Sequence, residues 1–165
     1  MLFLGIDAGK GGAVAWMDEE HRGIEVHDTP LLPSKDYNRR AMLDLLMRAI
    51  VRTREQVIIT LEQVHSMPKD GKVQAFAFGR GYGYWEMACT AVGTEPNLVR
   101  PEAWKRMLLL GLGKGKQVAV DHAARLFPNM ACQLYGPRGG LYDDRAEALL
   151  LCEVGIRTWK MLGRR

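Results

Sequence analysis

Phe3-Leu4-Gly5-Ile6-Asp7-Ala8-Gly9-Lys10-Gly11-Gly12-Ala13-Val14-Ala15-Trp16 is the stretch whose reading decides the fold. Two apolar runs, residues 1–6 and 13–17, flank a glycine-dense turn, which is the pattern of a β-hairpin. The first run is apolar at nearly every position, which predicts a central strand covered on both faces. It ends on one carboxylate, Asp7. An acid just past a buried run is costly unless a cation offsets its charge, yet Asp also opens turns routinely. On the hairpin alone, turn residue and metal ligand are both open.

Outward from the hairpin, residues 23–27 alternate and predict a third strand. Residues 29–38, with Pro30 and Pro33, read as loop. Met42, Leu45, Leu46, Ala49 and Ile50 fall at helical spacing and predict an amphipathic helix over 39–51. Val57-Ile58-Ile59-Thr60-Leu61 is a second buried strand that also ends on a carboxylate, Glu62. Residues 73–91 read as a long helix carrying Gly79, Gly81 and Gly83. Each interior glycine costs about 1 kcal/mol relative to alanine, so close packing against the sheet or a partner helix is expected there. Phe76, Phe78 and Trp85 on the same helix read as core. Residues 97–100 predict a fifth strand, and Pro101 opens a helix over 102–110. Residues 111–116 form a basic glycine loop, 117–127 a helix, 128–141 a loop, and 143–162 the last helix. The whole predicts one α/β domain over 1–165, a mixed five-stranded sheet flanked by helices.

Composition sets the bounds. The chain has 165 residues, 47% of them hydrophobic and 25% charged, and a net charge of +4. That is an ordinary globular composition with a mild basic bias, which permits a polyanionic partner without demanding one. Cys89, Cys132 and Cys152 are scattered with no CxxC pair, which excludes a zinc site of that type and suits a reducing compartment. Each reads as a small buried hydrophobe. No signal peptide or membrane span is expected, so the expected location is cytoplasmic.

The acids then gather. Adjacent strand ends lie about 5 Å apart, so Asp7 and Glu62 can meet if their strands pair. The last helix opens Asp143-Asp144-Arg145-Ala146-Glu147, and residues three apart share a face, so Asp144 and Glu147 can point together. Taken singly, the two aspartates could be N-caps and Glu147 a solvated side chain. Taken together, the four acids form a set of hard oxygen donors suited to Mg²⁺ or Mn²⁺ if that helix crosses the strand ends. Two such ions about 4 Å apart support phosphodiester hydrolysis, with Lys105 and Lys116 available for a phosphate.

Strand-Gly-Ile-Asp-x-Gly, strand-Glu-Gln-Val and Asp-x-x-Glu-Ala-Leu, in this order, resemble the RuvC family of Holliday-junction resolvases, within the RNase H-like (retroviral-integrase) superfamily. The Phe-Gly-Arg-Gly-Tyr-Gly core of residues 78–83 resembles the bacteriophage branch, which would place the protein in the cytoplasm of a bacterial host. The resemblance implies an RNase H-like fold, a homodimer with two active sites, divalent metal, and paired nicks in branched DNA. It implies Asp7, Glu62, Asp144 and Glu147 as metal ligands and catalytic residues, with Asp143 the alternate for Asp144. Glu147 departs from the family's usual Asp by one methylene. Lys105 and Lys116 match family lysines near the phosphate, Lys114 competing with Lys116. His65 stands where bacterial members carry an aromatic wedge, and Arg80 joins it among expected DNA contacts. Gly79 and Gly83, four apart, would let two copies of the long helix pack closely across a two-fold axis.

Other readings are weaker. Sugar kinases and actin share Gly-Ile-Asp-x-Gly but need two such domains. A P-loop needs Gly at position 110 and Ser or Thr at 117, where the chain has Leu110 and Gln117. A ribonuclease H acting on RNA–DNA hybrids and a non-catalytic junction-binding protein stay open as alternatives.

Overall fold

Alternation along the first strand sets the layers. In the computed structural model, which describes residues 1–51, 53, 56–63 and 71–163, β1 (Leu2–Ile6) is the middle of five strands in the order β3-β2-β1-β4-β5. β2 (Ala13–Asp18) and β3 (Glu25–Asp28) extend one side antiparallel, while β4 (Val57–Glu62) and β5 (Asn97–Val99) extend the other side parallel. Phe3 faces one apolar core and Leu4 and Ile6 the other, as period-2 geometry requires.

α1 (Arg39–Val51) and α2 (Lys72–Ala91) cover the Leu4 face, with Met42, Leu46, Trp85 and Cys89 against the sheet. α3 (Pro101–Leu109), α4 (Lys116–Leu126) and α5 (Asp143–Met161) build the Phe3 face. α5 is buried at every position from Ala148 to Ile156, because it lies directly on the sheet and under α4. Gly5 makes that approach possible. A Cβ there would strike the Ala148 carbonyl oxygen and lie 2.6 Å from Cys152 N and 2.8 Å from Leu151 Cβ.

Several expectations need correction. The third strand begins at Glu25, because Gly23 has φ +62° and closes a turn. Part of the loop expected over 128–141 is a 3-10 turn, Pro128–Gln133. Of the helix glycines, only Gly81 is pressed close; a Cβ there would strike the Tyr37 ring, whereas Gly79 and Gly83 face open space. Trp85 is core, but Phe76 is 70% exposed and Phe78 half-buried. Cys132 is exposed, unlike Cys89 and Cys152. No helix among the described residues is long and apolar enough to cross a membrane.

Candidate active site

The parallel register of β1 and β4 pairs Ile6 with Leu61, so the next residue on each strand, Asp7 and Glu62, emerges side by side. Both are only 7% exposed. The hairpin turn is tight: Asp7 N–H donates to Ala13 O (2.9 Å) and Gly12 N–H to Gly9 O (3.0 Å). A Cβ on Gly12 would strike the Asp7 carbonyl, so only glycine closes this turn. Gly11 lies against the Asp144 carboxylate, which brings the first turn of α5 over the strand ends.

The acids interact as a group. Burial, then the charges of Glu62, Asp144 and Glu147, push the Asp7 carboxyl well above the usual range. The hydrogen bond between the Asp7 and Asp144 carboxyl groups adds to the rise at Asp7 and works against the rise at Asp144. Asp144 is itself raised by burial and by neighbouring Asp143, and Glu147 by burial, against the lowering effect of Lys105. Of the two aspartates opening α5, Asp144 faces Asp7, while Asp143 pairs with Lys116 at 2.5 Å.

Lys105 Nζ reaches Glu147 Oε1 at 3.0 Å. Lys105, Lys116 and Lys114 line a cleft of about 810 Å³ together with Asp143 and Glu147. Arg80 is not part of this group; it binds Asp36 (3.1 Å) and the Tyr84 hydroxyl (3.0 Å), tying α2 to the loop after β3. His65 lies outside the described residues.

Trp104 was not singled out in the sequence. Its indole Nε1–H donates to Glu62 Oε1 at 2.7 Å inside the core. The signal was a tryptophan on the apolar side of a helix, whose N–H needs an acceptor once buried. Trp104→Phe should leave that carboxylate short of a donor and cost about 1.5–3 kcal/mol, measured as a lower urea midpoint.

Among the described residues, no three His, Cys, Asp or Glu side chains stand as a ready coordination set. Glu62 is turned to Trp104 and Glu147 to Lys105. The donor chemistry nevertheless fits a hard divalent cation: Asp7, Glu62, Asp144 and Glu147 all offer carboxylate oxygens, and the raised Asp7 carboxyl records negative charge that a cation would offset.

No family model matches the chain, and no curated protein matches it by sequence. Solved structures do match. The RuvC of Thermus thermophilus in complex with a Holliday junction substrate superposes with a TM-score of 0.61 at 13% identity, over 99% of this chain and 98% of that one. A second Thermus thermophilus RuvC structure gives 0.60 at 17% identity, over the same shares. The chain has the RuvC fold. Its mixed sheet with helices on both faces is therefore of the RNase H-like type, as the ordered motifs implied.

Proposed function

We propose that this protein is a divalent-metal-dependent endonuclease that resolves four-way DNA junctions. One observation carries the reading: four carboxylates from β1, β4 and α5 converge at one end of a RuvC fold, with lysines on their rim. The neighbour in complex with a Holliday junction substrate supports the same substrate class. In this reading Asp7, Glu62, Asp144 and Glu147 hold Mg²⁺ or Mn²⁺, two ions per site. Bound there, the ions supply Lewis acidity to the attacking water and the leaving oxygen. Lys105 and Lys116 exchange Glu147 and Asp143 for a backbone phosphate and offset the charge that builds on it. Lys114 adds a third cation to that cleft. Membership of the bacteriophage branch, and action inside a bacterial host, belong to the same proposal and rest on the motif around Gly79 to Gly83.

The test is a cleavage panel with Mg²⁺ or Mn²⁺ on four-way, three-way, flap and linear duplex DNA and on an RNA–DNA hybrid. Paired nicks in the four-way junction are expected, with 5′-phosphate ends. Equal cutting of linear duplex overturns junction selectivity. Cutting of the hybrid alone favours a ribonuclease H, and binding without cutting favours a non-catalytic junction binder.

Paired cuts require two sites, and α2 supports a homodimer. Val73, Phe76 and Met87 are 84%, 70% and 65% exposed. With Gly79 and Gly83 they span only about 120° of the helix circumference at 100° per residue. Among the described residues nothing lies within 4 Å of a Cβ placed at either glycine, so a second copy packed here would offset their cost in helix stability. Gly83→Glu should give a monomer in sedimentation and convert paired cuts to single nicks. A dimer of unchanged stability would show that the two copies meet elsewhere.

A further inference from the structure

The segment leading into α5 carries an ordered element that the proposed chemistry does not use. Residues 135–141 form a small hairpin closed by a Tyr135↔Leu141 bridge, with Gly136 N–H donating to Gly140 O (2.7 Å) and Gly139 N–H to Gly136 O (3.0 Å). Gly139 turns the chain at φ +74°, in the region that favours glycine. The hairpin is largely exposed, yet it is braced on several sides. Tyr135 Oη donates to Asp121 Oδ1 on α4 at 2.6 Å. Tyr142 N–H donates to Leu134 O at 3.0 Å. Arg145 holds Asp28, at the end of β3, through two N–H groups at 2.5 and 2.7 Å. The same guanidinium donates to Gln133 O at 3.2 Å and lies 4.4 Å over the Tyr142 ring.

Ordering a surface segment costs about 1–2 kcal/mol per residue of backbone entropy, and a plain connection to α5 would need no such bracing. The tip shows what the bracing presents. Arg138 is exposed and engaged by no carboxylate among the described residues. Lys105, Lys116, Arg80 and Arg145, by contrast, each hold an acid. Arg138 precedes Asp143 by five residues, so their Cα atoms lie within about 18 Å of each other. DNA carries one charge per about 3.4 Å of axis on each strand, which puts the tip within a few phosphates of the acids.

We propose that the 135–141 hairpin is a DNA-contacting finger, with Arg138 ion-paired to a backbone phosphate of the duplex arm beside the cut. A guanidinium takes two phosphate oxygens at once, and a braced turn holds it out at little further entropic cost. The contact carries no base information; it sets the register of that arm over the acids. This inference rests on the nuclease reading above.

The experiment measures binding of the full-length protein to a four-way junction and to linear duplex, by fluorescence anisotropy in EDTA across a salt series. Arg138→Ala should weaken junction binding about three- to tenfold and lower the slope of log K against log salt by about 0.9, the loss of one phosphate contact. Arg138→Lys should keep the slope. With Mg²⁺ or Mn²⁺ present, Arg138→Ala should also scatter the cut positions on the junction. Because the side chain is exposed, the thermal midpoint should not move. Unchanged affinity and slope in Arg138→Ala overturn the finger while leaving the nuclease reading intact, as does weaker binding at an unchanged slope. Failure of the wild-type protein to bind or cut any branched DNA overturns the nuclease reading itself, and the finger with it.

Discussion

Asp7→Asn should abolish metal-dependent cleavage while leaving junction binding in place, and it should make the protein more stable. The acid stands at the centre of the converging group, so its loss should lower the cutting rate about a thousandfold, which is about 4 kcal/mol of transition-state stabilisation. Single-turnover cleavage beside a binding assay in EDTA measures both quantities. A variant that cuts normally would show that the reaction does not pass through this group of acids.

The stability half follows from the direction of the shift. Asp7 titrates in the folded protein well above its ordinary value, because burial and the charges of Glu62, Asp144 and Glu147 disfavour ionisation. The folded state therefore holds this proton to higher pH than the unfolded chain does. The stabilisation linked to that proton is fully present below the unfolded-state value of about 3.9 and is lost as pH rises through the folded-state value. In EDTA, the thermal midpoint of Asp7→Asn minus that of wild type should widen as pH is raised from 4 to 8. At about 2–4 °C per kcal/mol for a domain of this size, a gain of several degrees is expected near neutrality. Added Mn²⁺ should raise the wild-type midpoint more than the variant's. Both outcomes together would be the trade of stability for function that marks a catalytic site.

Gly5→Ala should damage the fold more than any other one-carbon change described here. The added Cβ would strike the Ala148 carbonyl oxygen and lie 2.6 Å from Cys152 N. Both are backbone atoms of α5, so no side-chain rotation relieves the contact. Either α5 moves off the sheet or β1 bends. Overpacking of this kind costs about 3 kcal/mol or more, a drop of roughly 6–12 °C in midpoint. Because α5 also carries Asp144 and Glu147, cleavage should fall further than stability accounts for. Thermal denaturation followed by far-UV circular dichroism, with cleavage measured below the transition, separates the two losses. A variant with wild-type midpoint and activity would mean that the contact between α5 and β1 is looser than the structure describes.

Much of the site was legible in the chain because its signals are local. An apolar run ending on Asp7, a second ending on Glu62, and a helix between them predict a mixed sheet with a helical crossover, and the parallel register of β1 and β4 then puts the two acids together. Asp144 and Glu147 were legible because three residues along a helix return to the same face. Other features depended on partners distant in sequence. Periodicity marked Trp104 as apolar-facing, but not that Glu62 would stand opposite its indole N–H. Spacing set Gly79 and Gly83 apart as one face of the helix, but not that the Tyr37 ring lies against Gly81 while no described residue approaches the other two. Phe76 has the residue type of a core position and lies on the open side of α2.

The order of apolar runs along the chain was enough to determine a mixed five-stranded sheet with β1 inside it and an acid closing each of two strands, because strand alternation and helix pitch are properties of short segments. Only the tertiary structure decided that Asp144 rather than Asp143 faces Asp7, that Lys105 and Lys116 hold acids, and that Arg145 braces the hairpin bearing Arg138. Those choices depend on which charges are buried side by side, and burial is set by packing between elements that no local pattern encodes.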